Sequence, residues 1–94
     1  AHADQGNYAE AIRCYDEAIR LDPNLAMAWN NKGNVYNSQG NYTEAIRCYD
    51  EAIRLDPDDA SPWNNKGIAY YNQGNHAEAI RCYDEAMMLD PGLA

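Results

Sequence analysis

A block of seventeen residues, NYTEAIRCYDEAIRLDP from Asn41 to Pro57, occurs almost unchanged once before, at residues 7–23, and once after, at residues 75–91. Successive copies are separated by a constant 34 residues. A fixed period of this size marks a repeat architecture, in which no unit buries a core alone and each covers its apolar face with its neighbours. A chain of 94 residues has little core of its own to bury, so stability is expected to depend on this stacking.

Each copy opens with an asparagine and a glutamate three residues later: Asn7 with Glu10, Asn41 with Glu44, Asn75 with Glu78. That is the grammar of an N-cap with its capping-box partner and predicts a helix start at each. In the middle copy Ala45, Ile46, Tyr49, Ala52 and Ile53 form one apolar stripe at helical period. The opposite face pairs Arg47 with Glu51 and Asp50 with Arg54 four residues apart, which reads as a solvated face with helix-supporting charge pairs. Pro23, Pro57 and Pro91 end these helices, because the residue before proline is pushed out of the helical region.

A second helix type lies between the copies, as AMAWNNKGNVYNSQG and ASPWNNKGIAYYNQG. Trp29, Gly33 and Tyr36 recur there as Trp63, Gly67 and Tyr70. Glycine inside a helix costs about 1 kcal/mol relative to alanine, so its recurrence predicts a close helix approach with aromatic rings filling the space around it. Pro62 suits the first turn, where its missing N–H is harmless. Gly6, Gly40 and Gly74 are expected to end helices in the left-handed conformation. Ala1 to Gln5 then reads as the tail of a helix whose beginning is absent, followed by five whole helices alternating in two types.

Over essentially its whole length the chain resembles a tetratricopeptide repeat protein. The family pattern of Trp, Leu-Gly, Tyr, Ala, Phe and Pro is matched by Trp29, Lys32-Gly33, Tyr36, Ala45, Tyr49 and Pro57, and again by Trp63, Lys66-Gly67, Tyr70, Ala79, Tyr83 and Pro91. Two departures stand out. Tyrosine replaces phenylalanine, which adds a hydroxyl in need of a partner, and lysine replaces leucine at Lys32 and Lys66, where the stem can pack while the ammonium reaches outward or to a partner. The resemblance implies an all-α fold of antiparallel helix-turn-helix units stacked as a right-handed superhelical solenoid. It divides the single array of residues 1–94 into a partial repeat at 1–24, a full repeat at 25–58, and a full repeat at 59–94 without a capping helix.

In this family the first helix of each repeat lines a concave groove that holds peptides, which directs attention to Met27, Asn30, Asn31, Asn34 and Asn37, one stripe at helical spacing. The matching stripe is Ser61, Asn64, Asn65, Ile68, Tyr71 and Asn72. Asparagine is a middling helix former and no core residue, but its carboxamide both donates and accepts, and so can pair with a peptide backbone. The bland alternative is a solvated surface on which asparagines pair from repeat to repeat. The family's chaperone-binding members grip a terminal carboxylate with Lys, Arg and Asn. Asn31, Asn34 and Asn65 can stand in for the asparagines, but Met27, Asn30, Ser61 and Asn64 bring no cation, so that clamp is not expected.

The function expected is therefore a non-enzymatic protein–protein interaction module, the alternative being a structural or consensus-designed scaffold that self-associates and has no ligand of its own. With 15 acids against 7 bases the formal charge is −8, which opposes binding to nucleic acid or an anionic membrane. Cys14, Cys48 and Cys82 occupy one slot of three units, too far apart in a stack for a disulfide, and read as structural, part-buried free thiols of a reducing, cytoplasmic compartment. No cofactor and no metal site is expected: there is no CxxC pair, and His2 and His76 have no second ligand at metal spacing. Asp56, Asp58 and Asp59 lack the glycine and terminal glutamate of a calcium loop, and the sequon Asn41-Tyr42-Thr43 falls in a capped turn. Ser38 and Ser61 have no histidine nearby in sequence, so no catalytic trio is visible.

The ends carry one further expectation. Met87 and Met88 stand where the first two copies have Ile19 and Ile53, and Arg20 and Arg54, while the first copy is expected to expose Ala11, Tyr15 and Ala18. Two such apolar ends predict end-to-end stacking or helix exchange between copies, a contact that propagates instead of closing.

Overall fold

The computed structural model describes residues 3–93, with five α-helices and one short 3₁₀ turn. The helices are α1 (Ala3–Leu21), α2 (Ala26–Ser38), α3 (Tyr42–Leu55), α4 (Ala60–Gln73) and α5 (His76–Leu89), followed by the 3₁₀ turn Pro91–Leu93. Among the described residues there is no strand. The result is an all-α helical-repeat solenoid, with α2 packed most extensively on α3 and α4 on α5, and the two hairpins joined through α3 on α4. No helix among the described residues is long and apolar enough to cross a membrane.

The apolar stripe of the repeated block is the core. Ala45, Ile46, Cys48, Tyr49 and Ala52 of α3 are buried, with Ala69 of α4 closing the cluster and Tyr36, Tyr42 and Tyr70 packed around it. Most of these side chains are small, so the helices approach closely and one large residue fills the space that remains: Tyr49, at 0% exposure. Its ring lies against Gly33, where an added Cβ would come within 2.6 Å of Tyr49 Cε1; Gly67 stands in the same relation to Tyr83. The glycine inside the helix is thus explained by close approach, as its recurrence predicts. The ring in front of it belongs to the following helix, sixteen positions on, and not to the Trp and Tyr of its own.

Gly40 and Gly74 take positive φ, 83° and 88°, and end their helices as expected. Two residues' worth of reversal is sealed when the Asn41 and Asn75 N–H groups donate to the Tyr36 and Tyr70 carbonyls, each at 2.9 Å. Gly6 behaves differently. The predicted break at Gly6 and helix start at Asn7 are absent, and α1 runs unbroken from Ala3 through both residues to Leu21. A left-handed stop is held by the packing of the helices it joins; where the described residues supply no first helix of the same repeat to pack on α1, continued i→i−4 bonding prevails. Ala1 and His2, part of the expected helix remnant, lie outside the described residues. Of the two inner N-caps, only Asn75 caps with its side chain, accepting from the Glu78 N–H at 3.4 Å, while Asn41 occupies the cap position without a side-chain bond.

The charge pairs along the second helices also differ from expectation. Arg47 pairs with Glu44 and Arg54 with Glu51, three residues apart, instead of Arg47 with Glu51 and Asp50 with Arg54. Asp50 is not available to Arg54 because it reaches across to the next helix. Its Oδ1 lies 2.6 Å from Lys66 Nζ, and Asp16 Oδ1 lies 2.5 Å from Lys32 Nζ in the equivalent place. Each lysine side chain is only 15% exposed and rests over the indole of its own helix, 5.3 Å from the Trp29 ring for Lys32 and 5.1 Å from the Trp63 ring for Lys66. Burial alone lowers the lysine pKa, but the hydrogen bond and charge of the aspartate outweigh it and hold both ammonium groups above their ordinary value. The lysines that replace the family's leucine are therefore not free snorkelling cations but ion-paired, largely covered groups. They pin each repeat to the one before.

Candidate functional site

The first helices of successive repeats, α2 and α4, touch each other directly, whereas the second helices α3 and α5 have no comparably extensive contact. The row α2–α4 is therefore the closer-spaced, inner side of the stack. It carries both stripes singled out in the sequence. A carboxamide ladder joins them: Asn65 Nδ2 donates to Asn30 Oδ1 at 3.1 Å, Asn30 Nδ2 to Ser61 Oγ at 3.4 Å, and Asn72 Nδ2 to Asn37 Oδ1 at 3.5 Å. The pairing of asparagines from repeat to repeat, raised above as the bland alternative, is thus present. It does not exhaust the groups involved, since each carboxamide has two donors and two acceptor lone pairs.

Asn34 serves a different purpose. Its Oδ1 accepts from the Tyr49 hydroxyl at 2.6 Å, which gives the tyrosine that replaces phenylalanine the partner it needs. In the next repeat Ile68 stands at that position, and it is exposed, as are Tyr71 and Met27 at 58% and 65%. Tyr71 stacks on His76 with ring centroids 4.7 Å apart. Asn31 and Asn64 are half-buried and make no side-chain hydrogen bond to another described residue, while Asn72 is exposed. The inner wall is therefore a polar ladder flanked by three exposed apolar side chains, with Asn34 exposed beside them and its carbonyl oxygen held by the Tyr49 hydroxyl.

Charge is distributed just as unevenly. All seven Lys and Arg residues are paired with an acid of the chain itself: Arg13 with Glu10, Arg20 with Glu17, Arg47 with Glu44, Arg54 with Glu51, Arg81 with Glu78, and the two lysines with Asp16 and Asp50. Lys32 and Lys66 are the sole ionised residues within α2 and α4, and both turn away to the second helices. A surface cleft of about 300 Å³, lined by Trp29, Lys32, Glu44, Arg47, Cys48 and Glu51, lies between α2 and α3. Its basic groups are already matched, Lys32 by Asp16 and Arg47 by Glu44.

The three cysteines are free. Cys48 and Cys82 are buried under the first helix of their repeat, and burial pushes the Cys48 thiol up to about 11 and the Cys82 thiol in the same direction. Cys14 is exposed, not part-buried, because the described residues hold no first helix of its own repeat to cover it as α2 covers Cys48. Among the described residues no group of His, Cys, Asp and Glu is placed to hold a metal ion. Of the terminal residues, Met87 and Met88 are exposed and Ala11, Tyr15 and Ala18 are half-buried, less open than the repeat pattern suggests.

Comparison with known structures finds the same architecture. A crystal structure of MamA protein aligns over 89% of this chain with 28% identity and a TM-score of 0.84, and a second crystal structure of MamA over 92% with 28% identity and a TM-score of 0.86. The chain spans about half the length of those MamA structures, 46% and 50%. The second TPR of Spaghetti (RPAP3), bound to the HSP90 peptide SRMEEVD, aligns over 93% of this chain and 81% of its own, with 28% identity and a TM-score of 0.84. Comparison with curated protein sequences yields no match. A TPR repeat model matches residues 1–37 and 33–74 and a tetratricopeptide repeat model residues 60–93, so the chain belongs to the tetratricopeptide repeat family.

Proposed function

We propose that the inner face of α2 and α4 holds an extended segment of another protein and performs no chemistry on it. The observation that carries this reading is the Asn30–Asn65 and Asn37–Asn72 ladder with Met27, Ile68 and Tyr71 exposed beside it. Each rung keeps donors and acceptors for a peptide backbone, and the apolar side chains give a ligand's side chains something to cover. The solved neighbour with an HSP90 peptide bound supports peptide binding on this architecture. Substituting Asn34 would be a poor test, because it would also strip Tyr49 of its hydrogen bond. The combined variant Met27→Ala, Asn64→Ala and Tyr71→Ala touches no buried bond, so its circular dichroism and urea midpoint should match the parent while affinity for a partner segment drops by roughly tenfold or more. Equal affinity in parent and variant, measured by isothermal titration, would remove the groove from consideration.

Self-association is a second reading, favoured by the exposure of Ile80, Met87 and Met88 together on α5. Sedimentation velocity at rising concentration should then show a reversible dimer or larger species, and Met88→Arg should shift it back toward monomer. A single monomeric boundary up to millimolar concentration contradicts this reading.

A further inference from the structure

The groove's lack of charge within a strongly acidic molecule restricts what it can hold. We infer that the segment taken up on α2 and α4 is neutral or basic and is not gripped by a terminal or side-chain carboxylate; this rests on the groove reading proposed above. Between Ala26 and Ser38 and between Ala60 and Gln73 the sole ionised groups are Lys32 and Lys66, and both are pinned to Asp16 and Asp50 on the second helices. The remaining cations, all arginines, are engaged by glutamates three residues away on α1, α3 and α5. The formal charge of −8 therefore resides on acids outside these pairs, and it sets a negative potential across a wall that offers an anion only neutral carboxamides. A carboxylate entering this groove loses water without gaining a charge-assisted donor, and it approaches against the field. A neutral backbone read by Asn30, Asn37, Asn65 and Asn72 meets no such penalty, and a ligand's lysine or arginine is drawn in.

The test uses immobilised randomised peptides of the length of SRMEEVD in acidic, neutral and basic sets, each made with amidated and with free C-termini, and SRMEEVD itself as an added acidic probe. The parent chain should retain the neutral and basic amidated sets over the acidic set by roughly tenfold or more, a margin that shrinks as salt shortens the range of the field. The Met27→Ala, Tyr71→Ala variant should lose that retention, and Asn64→Arg, which places a cation on the inner wall, should move the retained population toward acidic peptides. Preferential retention of acidic or free-carboxylate peptides, SRMEEVD included, overturns the inference and leaves the groove reading standing. Basic peptides held equally by Met27→Ala, Tyr71→Ala overturn it too, since the attraction would then lie in the general acidity of the surface. If no set is retained by the parent, the groove reading falls with it.

Discussion

Replacing Tyr49 with alanine should lower the free energy of unfolding by about 3–5 kcal/mol, the range for deleting a large aromatic side chain from a core. Tyr49 is the largest completely enclosed side chain among the described residues, and its buried neighbours Ala45 and Ala69 are too small to close over the void. The ring also bridges two helices, touching Gly33 of α2 from its place on α3, so its loss loosens the hairpin on which both neighbouring units stack. Tyr49→Phe separates the two contributions. It keeps the ring and removes only the bond to Asn34, and should cost about 1 kcal/mol. Tyr83→Ala, at a less enclosed position, should lose less than Tyr49→Ala. Urea unfolding at equilibrium measures all three, and a loss below about 1 kcal/mol for Tyr49→Ala would show that the ring is not the keystone of the hairpin.

Which features could be read in advance follows from the distance over which each is determined. The helices, their alternation and the stripe Ala45, Ile46, Tyr49 and Ala52 depend on local periodicity and on a word repeated at fixed register, so they are visible in the sequence. Gly33 was legible because a residue that weakens a helix needs a packing reason. The lysine pins were not. Lys32 and Asp16 belong to different helices, and no helix-surface rule relates positions sixteen apart, whereas Asp50 has a plausible local partner in Arg54 that it leaves for Lys66. Gly6 fails for the complementary reason: it sits in the same Gln-Gly-Asn-Tyr stretch as Gly40, but the outcome is set by what packs around it. On the inner wall the stripes could be recognised at helical spacing, yet the specific work of each asparagine could not. That Asn34 supports Tyr49 while Asn30 meets both Asn65 and Ser61 depends on which helix faces which.

Gly33→Ala sets two energies of opposite sign against each other. In an isolated helix the substitution is favourable by about 1 kcal/mol, because glycine has more backbone freedom to lose. In this hairpin the new methyl carbon would sit 2.6 Å from Tyr49 Cε1 and 2.8 Å from Cδ1, and the ring, fully enclosed and tethered to Asn34, has no room to swing away. Forcing an extra carbon into a packed core costs about 1–3 kcal/mol, so the contact should win and the variant should be less stable by about 1–2 kcal/mol. Gly67→Ala should suffer less, since the 2.6 Å conflict there is with Tyr83, which is less enclosed and has Ile68 where Tyr49 has its asparagine anchor. The decisive measurement is the sign in a second background. With Tyr49 already replaced by leucine the obstacle is gone, and Gly33→Ala should turn neutral or stabilising by up to about 1 kcal/mol. If the alanine destabilises both backgrounds equally, the clash with Tyr49 is not the cause, because two residues that interact through that contact alone must show coupling when one of them is removed.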